Sequence, residues 1–415
     1  MSKVNTFKSL IFLIIFSSFQ AQSAEPSNHF QYVKQKAIHT FVGFWQMINF
    51  SWLSKKVNDS KDQPKNKIPI VYHPDYNIGF FGLENIHPFE SKKYGKVFKH
   101  LCKQLKLTEN QFYKPEIPVS DEDLAKVHTP EYLESLNSSL TLAEITEISV
   151  LKYVPNFLLK NRLLYPMRLA TQGTIDAAQL ALKHGWAINL SGGYHHAKAK
   201  SGGGFCVYAD IPLAIKKLRE KNGNLTVLYI DLDAHQGNGV ESILKKDKNI
   251  YFIDFFNEFN YPYEYKLPTR ISAKPSLNDL YCSKHLKYAY DRDDFKMIMH
   301  QESQKSCPDC NKKYLSSLKK ILPNALEEFK KIHGKNPDII FYNAGTDCFE
   351  EDPLGMLKLS KQGIIDRDEF VFKQAKSNNI PLCMTLSGGY TQKSASIIGE
   401  SIKNLFNKKL LTRNS

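Results

Sequence analysis

Short runs along the chain are apolar almost without interruption, at 68–72, 187–190, 226–231, 250–254, 338–342 and 381–386. Such runs predict strands buried on both faces of a parallel sheet, because a strand with one wet face would alternate apolar and polar positions. Between them, apolar residues recur at helical spacing over 174–184, 213–221, 314–333, 363–377 and 395–407. The repeated strand-then-helix order predicts one α/β domain over 68–415, with a central, mostly parallel sheet flanked by helices.

The rhythm fails in two places. Residues 264–312 are polar and tyrosine-rich without clear periodicity, and read as an insertion between a strand and a helix. Residues 25–67 read as an extension and linker, in which 41–53 (FVGFWQMINFSWL) is apolar and aromatic and the stretch after it is lysine-rich. The apolar stretch is too short to cross a bilayer, which takes about 20 residues. It predicts a packed helix, and docking on the body of the protein, membrane contact and partner contact all stay open. At the N-terminus, Lys3 and Lys8 precede the apolar run 10–16, and small or polar residues lead to Ala21, Ser23 and Ala24. This is the order of a secretory signal peptide, here 1–24 with cleavage after Ser23 or Ala24. It predicts an exported protein, periplasmic, secreted or delivered into another cell.

Composition narrows the picture modestly. With 42% hydrophobic and 24% charged residues the chain is not intrinsically disordered. The net charge of +14 is dispersed, and no nucleic-acid motif accompanies it. The seven cysteines are an odd number, so they do not all pair within one chain. Cys307 and Cys310 have C-x-x-C spacing, but without a second ligand pair they read as a local disulfide or two plain thiols ahead of a zinc knuckle.

Candidate chemistry sits just after predicted strands, the edge where open parallel sheets bind ligands. Ser191-Gly-Gly-Tyr-His195-His196 follows one strand, and Asp231-Leu-Asp233-Ala-His235-Gln-Gly-Asn238 follows another. On extended backbone Asp233 and His235 point the same way and can share one cation. Asn343-Ala-Gly-Thr-Asp347 offers a further carboxylate, and Ser387-Gly-Gly-Tyr390 a phenol on a glycine turn. Two carboxylates and one imidazole with an open position make a catalytic rather than a structural type of zinc site. Each piece alone is an ordinary turn.

Taken in order, these segments resemble the class IV histone deacetylases, zinc-dependent deacylases of the arginase/deacetylase fold. The resemblance runs from about Pro69 to Phe406 and includes IVYHPDYNIGFFGLENIHPFESKKYGKV, VHTPEYLESL, GWAINLSGGYHHAKAKSGGGFCVYADIPLAI, IDLDAHQGNGVE, YNAGTDCFEEDPLGMLKLSKQGIIDRDE and PLCMTLSGGYTQKSASII. It implies that Asp233, His235 and Asp347 hold Zn2+, that His195 and His196 flank the attacking water, and that Asp231 orients His195. Tyr390 would donate to the acyl oxygen as it becomes an oxyanion, and Phe205, Gly204 and Tyr261 would shape the channel for a lysine stem. A K+ site would draw on Asp231, Asp233, His235 and Asp254. The implied substrate is an acyl-lysine protein or peptide, carrying acetyl or a longer fatty acyl group, with histones among the candidates. A catalytically silent acyl-lysine binder and a deacetylase of small acylated polyamines are the alternatives.

Three positions qualify the resemblance. Asn238 stands where class I relatives have an aspartate paired with the second histidine, and class IV members share the asparagine. Tyr263 replaces a small residue after Tyr261-Pro262, at the channel mouth. A binuclear manganese site of arginase type would need a carboxylate two residues after His235, and that residue is Gly237.

Overall fold

The computed structural model describes residues 67–79, 90–258, 260–262, 272–273, 275–281 and 307–412. The expectations for 1–24, 25–66 and Tyr263, and most of those for 264–312, lie outside these residues. Within them a seven-stranded, all-parallel sheet forms from β1 (Ile70–Val71), β2 (Trp186–Asn189), β3 (Val227–Asp231), β4 (Ile250–Asp254), β5 (Ser272–Ala273), β6 (Ile339–Asn343) and β7 (Leu382–Thr385). The spatial order is β1-β2-β7-β6-β3-β4-β5. Every residue of β2, β3, β4, β6 and β7 is buried, which is why their sequences are apolar without alternation. The edge strand β5 falls inside the stretch that reads as an insertion, and pairs with β4 through Phe252–Ser272 and Ile253–Ala273.

Helices α1 (Lys93–Leu105), α2 (Tyr165–His184), α3 (Asp210–Asn222), α4 (Asn238–Leu244), α5 (Pro308–His333), α6 (Lys361–Ser377) and α7 (Ser394–Asn407) cover the sheet in two rows, α2–α3–α4 and α1–α7–α6–α5. Their ends carry recognisable stop and start signals. The Ser360 hydroxyl accepts from Gly363 N at 3.0 Å to cap α6, and α5 ends on Gly334 in the left-handed region. Helix α5 starts earlier than its apolar period suggests because Cys307 caps it, its sulfur accepting from Cys310 N at 3.4 Å with Pro308 in the first turn. No disulfide joins the two cysteines to each other, which corrects the local disulfide. No helix among the described residues is long and apolar enough to cross a membrane.

The central pair β3 and β6 sets the geometry of the sheet edge. They run in register from Val227–Ile339 to Asp231–Asn343, so both strands end at one level and release their next residues side by side. β2 and β7 open onto that edge as well.

Candidate active site

The loop after β2 turns on Gly192 and Gly193, both with positive φ. A Cβ on Gly193 would stand 2.2 Å from Asn343 Oδ1, so this close crossing of β2 and β6 ends admits only glycine. The buried Asp210 carboxylate fixes the turn, accepting from Gly193 N at 2.8 Å and Tyr194 N at 2.9 Å. The two following histidines then enter the site with different partners. His195 Nδ1 lies 2.8 Å from Asp231 Oδ2, and His196 Nδ1 lies 2.9 Å from Asn238 Oδ1. Burial opposes charge on His195, but the Asp231 and Asp233 carboxylates outweigh it and push its pKa up to about 9. Burial lowers His196 well below its ordinary value, and the charges of His195 and His235 add to that effect.

Asp233, His235 and Asp347 converge as the sequence predicts: one donor atom from each lies within 4.8 Å of the others, and all three are buried. His235 Nδ1 is 2.8 Å from Asp347 Oδ2 and 3.1 Å from Asp233 Oδ1. The loop backbone holds the carboxylates, with Ala234 N donating to Asp347 at 2.8 Å and Gly388 N donating to Asp233 at 2.9 Å. A buried pair of carboxylates with a single imidazole between them is a donor set that fits a divalent cation of the zinc type. A second metal on the same loop does not fit. A Cβ at Gly237 would meet Asp231 Oδ2 at 2.5 Å, leaving no room for a further carboxylate.

The remaining expected residues gather around this cluster. The Tyr390 ring stands edge-on to His235 with centroids 6.0 Å apart, and Tyr261 stands edge-on to His196 at 4.8 Å. Phe205 has a φ of 64°, a left-handed conformation that a bulky residue adopts at a cost, and its N–H donates to Ile145 O at 2.9 Å. A Cβ on Gly204 would press on His196 at 2.6 Å. Together Phe205, Gly204, His196 and Tyr390 line one narrow pocket. Asp254 pairs with Asp231 across β3 and β4, receives Gly237 N at 3.0 Å, and keeps Oδ1 buried with no hydrogen-bond partner.

Several residues in the site have no role assigned from sequence. Asp352 is buried and accepts three backbone N–H groups, from Tyr390 at 2.8 Å, Leu354 at 3.0 Å and Gly355 at 3.1 Å. Lys93 is wholly buried on α1 and donates to Ser387 O and Gly388 O, the latter at 3.0 Å. Burial lowers its pKa to about 8 against the pull of Asp347, Asp233 and Asp352. Tyr94 beside it lines the pocket. Asn260 donates to His235 Nε2 at 3.1 Å. A signal for Lys93 was present: it falls on the buried stripe Lys93, Val97, Leu101, Leu105, where a charge demands a specific partner.

A parallel sheet whose strand ends gather two carboxylates and an imidazole in one buried cluster, beside a pocket lined by two further imidazoles and a phenol, defines an α/β protein with a candidate metal-type site. Comparison with known proteins gives its family. A histone deacetylase domain model matches residues 87–405. Histone deacetylase 2 of Arabidopsis thaliana is 40% identical over 84% of this chain and 81% of its own length. Human histone deacetylase 1 is 26% identical over 78% of this chain and 61% of its own length. Among solved structures, the HD domain of HDA15 aligns with a TM-score of 0.56 at 17% identity, over 83% of this chain and 91% of that one, a likeness of fold. The chain belongs to the histone deacetylase family.

Proposed function

We propose that the protein is a class IV, zinc-dependent lysine deacylase that hydrolyses the amide between an acyl group and the N-ε-amine of lysine in proteins or peptides. The observation that carries this reading is the convergence of Asp233, His235 and Asp347 beside the pocket that His195, His196 and Tyr390 line, with His195 Nε2 3.7 Å from Asp233 Oδ1 and Tyr390 edge-on to His235. Asn238 beside His196, in place of a carboxylate, supports the class.

Asp233, His235 and Asp347 would hold the zinc, which when bound polarises the acyl carbonyl and makes water a stronger acid. The chain's own groups do the rest. His196, with Nδ1 facing the Asn238 carbonyl oxygen and its basicity held down, is neutral at pH 7 and accepts the proton of the attacking water through Nε2. His195, held charged by Asp231, keeps a proton available for the departing lysine amine. The Tyr390 hydroxyl donates to the acyl oxygen as negative charge develops there. Phe205 and Tyr261 offer apolar walls to the lysine stem, whose ammonium is masked by acylation.

The proposal extends to a K+ ion near Asp254, where Oδ1 lacks a donor, with the Asp231–His235 segment as its other source of oxygens. It also includes export, which sequencing the N-terminus of the mature protein tests. The net charge of +14 disfavours tight docking of equally basic histone tails. A panel of acetyl, octanoyl and myristoyl lysine peptides, assayed with and without a chelator, tests the reaction. Chelator-sensitive release of acyl groups is expected, and an enzyme inert on every member sinks the reading.

A further inference from the structure

The side chain of Arg367 is completely buried, and it comes from α6 rather than from any loop that carries the site. A buried ion pair is weak evidence for stability, since apolar side chains of similar volume often serve as well. What Arg367 touches gives a different reason for its presence. Nη1 donates to Leu232 O at 3.0 Å and Gly345 O at 2.7 Å, and reaches Cys348 Sγ at 3.0 Å. Nη2 reaches Ala344 O at 3.5 Å. Leu232 immediately precedes Asp233, and Gly345 lies two residues before Asp347.

These acceptors mark where the sheet stops supporting the two loops. The β3–β6 ladder ends at Asp231–Asn343, and Leu232 N makes one more bond to Asn343 O at 3.0 Å. The carbonyls of Leu232 and Gly345 then turn inward, where buried acceptors must find donors. One planar guanidinium meets both, so the separation of the loops is set by a rigid group. The other edge of that group is fixed too. Nε and Nη2 each lie 2.9 Å from Asp368 Oδ1, and Asp368 in turn receives Tyr342 Oη from β6 and Ser401 Oγ from α7 at 2.6 Å.

The loops have no slack at this point. A Cβ on Gly345 would fall 2.1 Å from Asp233 Oδ2, so the backbone that Arg367 holds lies directly against the carboxylate of the other loop. A shift of Gly345 toward β3 displaces Asp233.

We propose that Arg367 is a positioning residue that sets the spacing of Asp233 and Asp347, and thereby the affinity of the site for its metal; this rests on the metal-site reading above. Lysine cannot replace it, because a single ammonium cannot span both loops while also pairing edge-on with Asp368.

The test is zinc affinity of the full chain, measured by competition with a chromophoric chelator, for wild type, Arg367→Met and Arg367→Lys. The ligand-field spectrum of the cobalt-loaded forms is the second readout. Folded variants are expected to bind zinc about 10-fold or more weakly and to show altered cobalt bands. A smaller loss of affinity with an unchanged cobalt spectrum, even alongside a lowered Tm, overturns the proposal, because a purely structural role moves Tm alone. If Arg367→Met does not fold, Arg367→Lys decides by the same criteria. Wild type that binds no zinc sinks the metal-site reading itself, whereas zinc-binding wild type without deacylase activity sinks the activity and leaves this inference standing.

Discussion

His196 Nδ1 lies 2.9 Å from the amide oxygen of Asn238, so its ring is held by a neutral acceptor, while its neighbour His195 faces the Asp231 carboxylate at the same kind of distance, 2.8 Å. Two adjacent imidazoles are thereby given opposite protonation preferences. Replacing Asn238 by aspartate puts a carboxylate against His196, and an opposite charge this close raises a histidine pKa by about 1–3 units. The acid limb of kcat/KM for Asn238→Asp should move to higher pH by about one unit or more. A pH–rate profile superimposable on wild type would remove His196 from the proton-accepting role.

Tyr390→Phe deletes the hydroxyl assigned to the developing oxyanion and leaves the ring in place. Loss of one such donor costs about 2.7–4 kcal/mol in the transition state. Steady-state kinetics should show kcat lower by roughly 100- to 1,000-fold with KM little changed. A compensating rise in KM alone would mean that the residue binds substrate without assisting the chemistry.

Asp352 ties the Tyr390 turn to the Leu354–Gly355 turn through three N–H groups. Asp352→Ala leaves these donors without their acceptor, and the folded protein should lose roughly 2–4 kcal/mol in urea unfolding together with most of its kcat. Asp352→Asn keeps one carbonyl oxygen and should fall between the two. Equal kcat in wild type and a folded Asp352→Ala would show that the Tyr390 turn holds its place unaided.

His128, which is not part of the Asp233–His235–Asp347 cluster, supplies a separate pH dependence. Its Nδ1 donates to Lys198 O at 3.0 Å and its Nε2 accepts from Ala209 N at 3.0 Å, an arrangement that needs the neutral ring. Burial lowers its folded pKa to about 4, whereas the unfolded ring has the ordinary value of 6.5. Below pH 6.5 the unfolded chain takes up a proton that the native state refuses. The stability this ring contributes is therefore complete above 6.5 and is lost as pH falls toward 4. Between about pH 7 and 4.5 the wild type should lose roughly 2–3 kcal/mol more than His128→Gln. Parallel losses in both proteins would contradict the assignment.

The strands and the Asp233–His235–Asp347 cluster were legible in the chain for one physical reason each. A strand buried on both faces must be apolar at every position, so β2, β3, β4, β6 and β7 declare themselves without any knowledge of their neighbours. Asp233 and His235 are two apart in the chain, so their meeting is a local property, although they lie in a bend after β3 rather than on the extended backbone expected; the motif order supplied Asp347 and Tyr390. Edge strand β5 was not legible, because Ser272–Ala273 pairs with β4 alone and carries no apolar run.

Charges on apolar helix stripes lay between these extremes. Lys93 on α1 and Arg367–Asp368 on α6 occupy stripe positions, which sequence marks as costly and leaves unexplained. Only the tertiary structure decides their partners, because Ser387 and Gly388 stand nearly three hundred residues from Lys93, and Leu232 lies 135 residues from Arg367. Sequence periodicity fixes which face of a helix is buried. What waits against that face, and hence whether a buried charge merely survives there or sets the spacing of a catalytic cluster, depends on how distant strand ends are brought to one edge of the sheet.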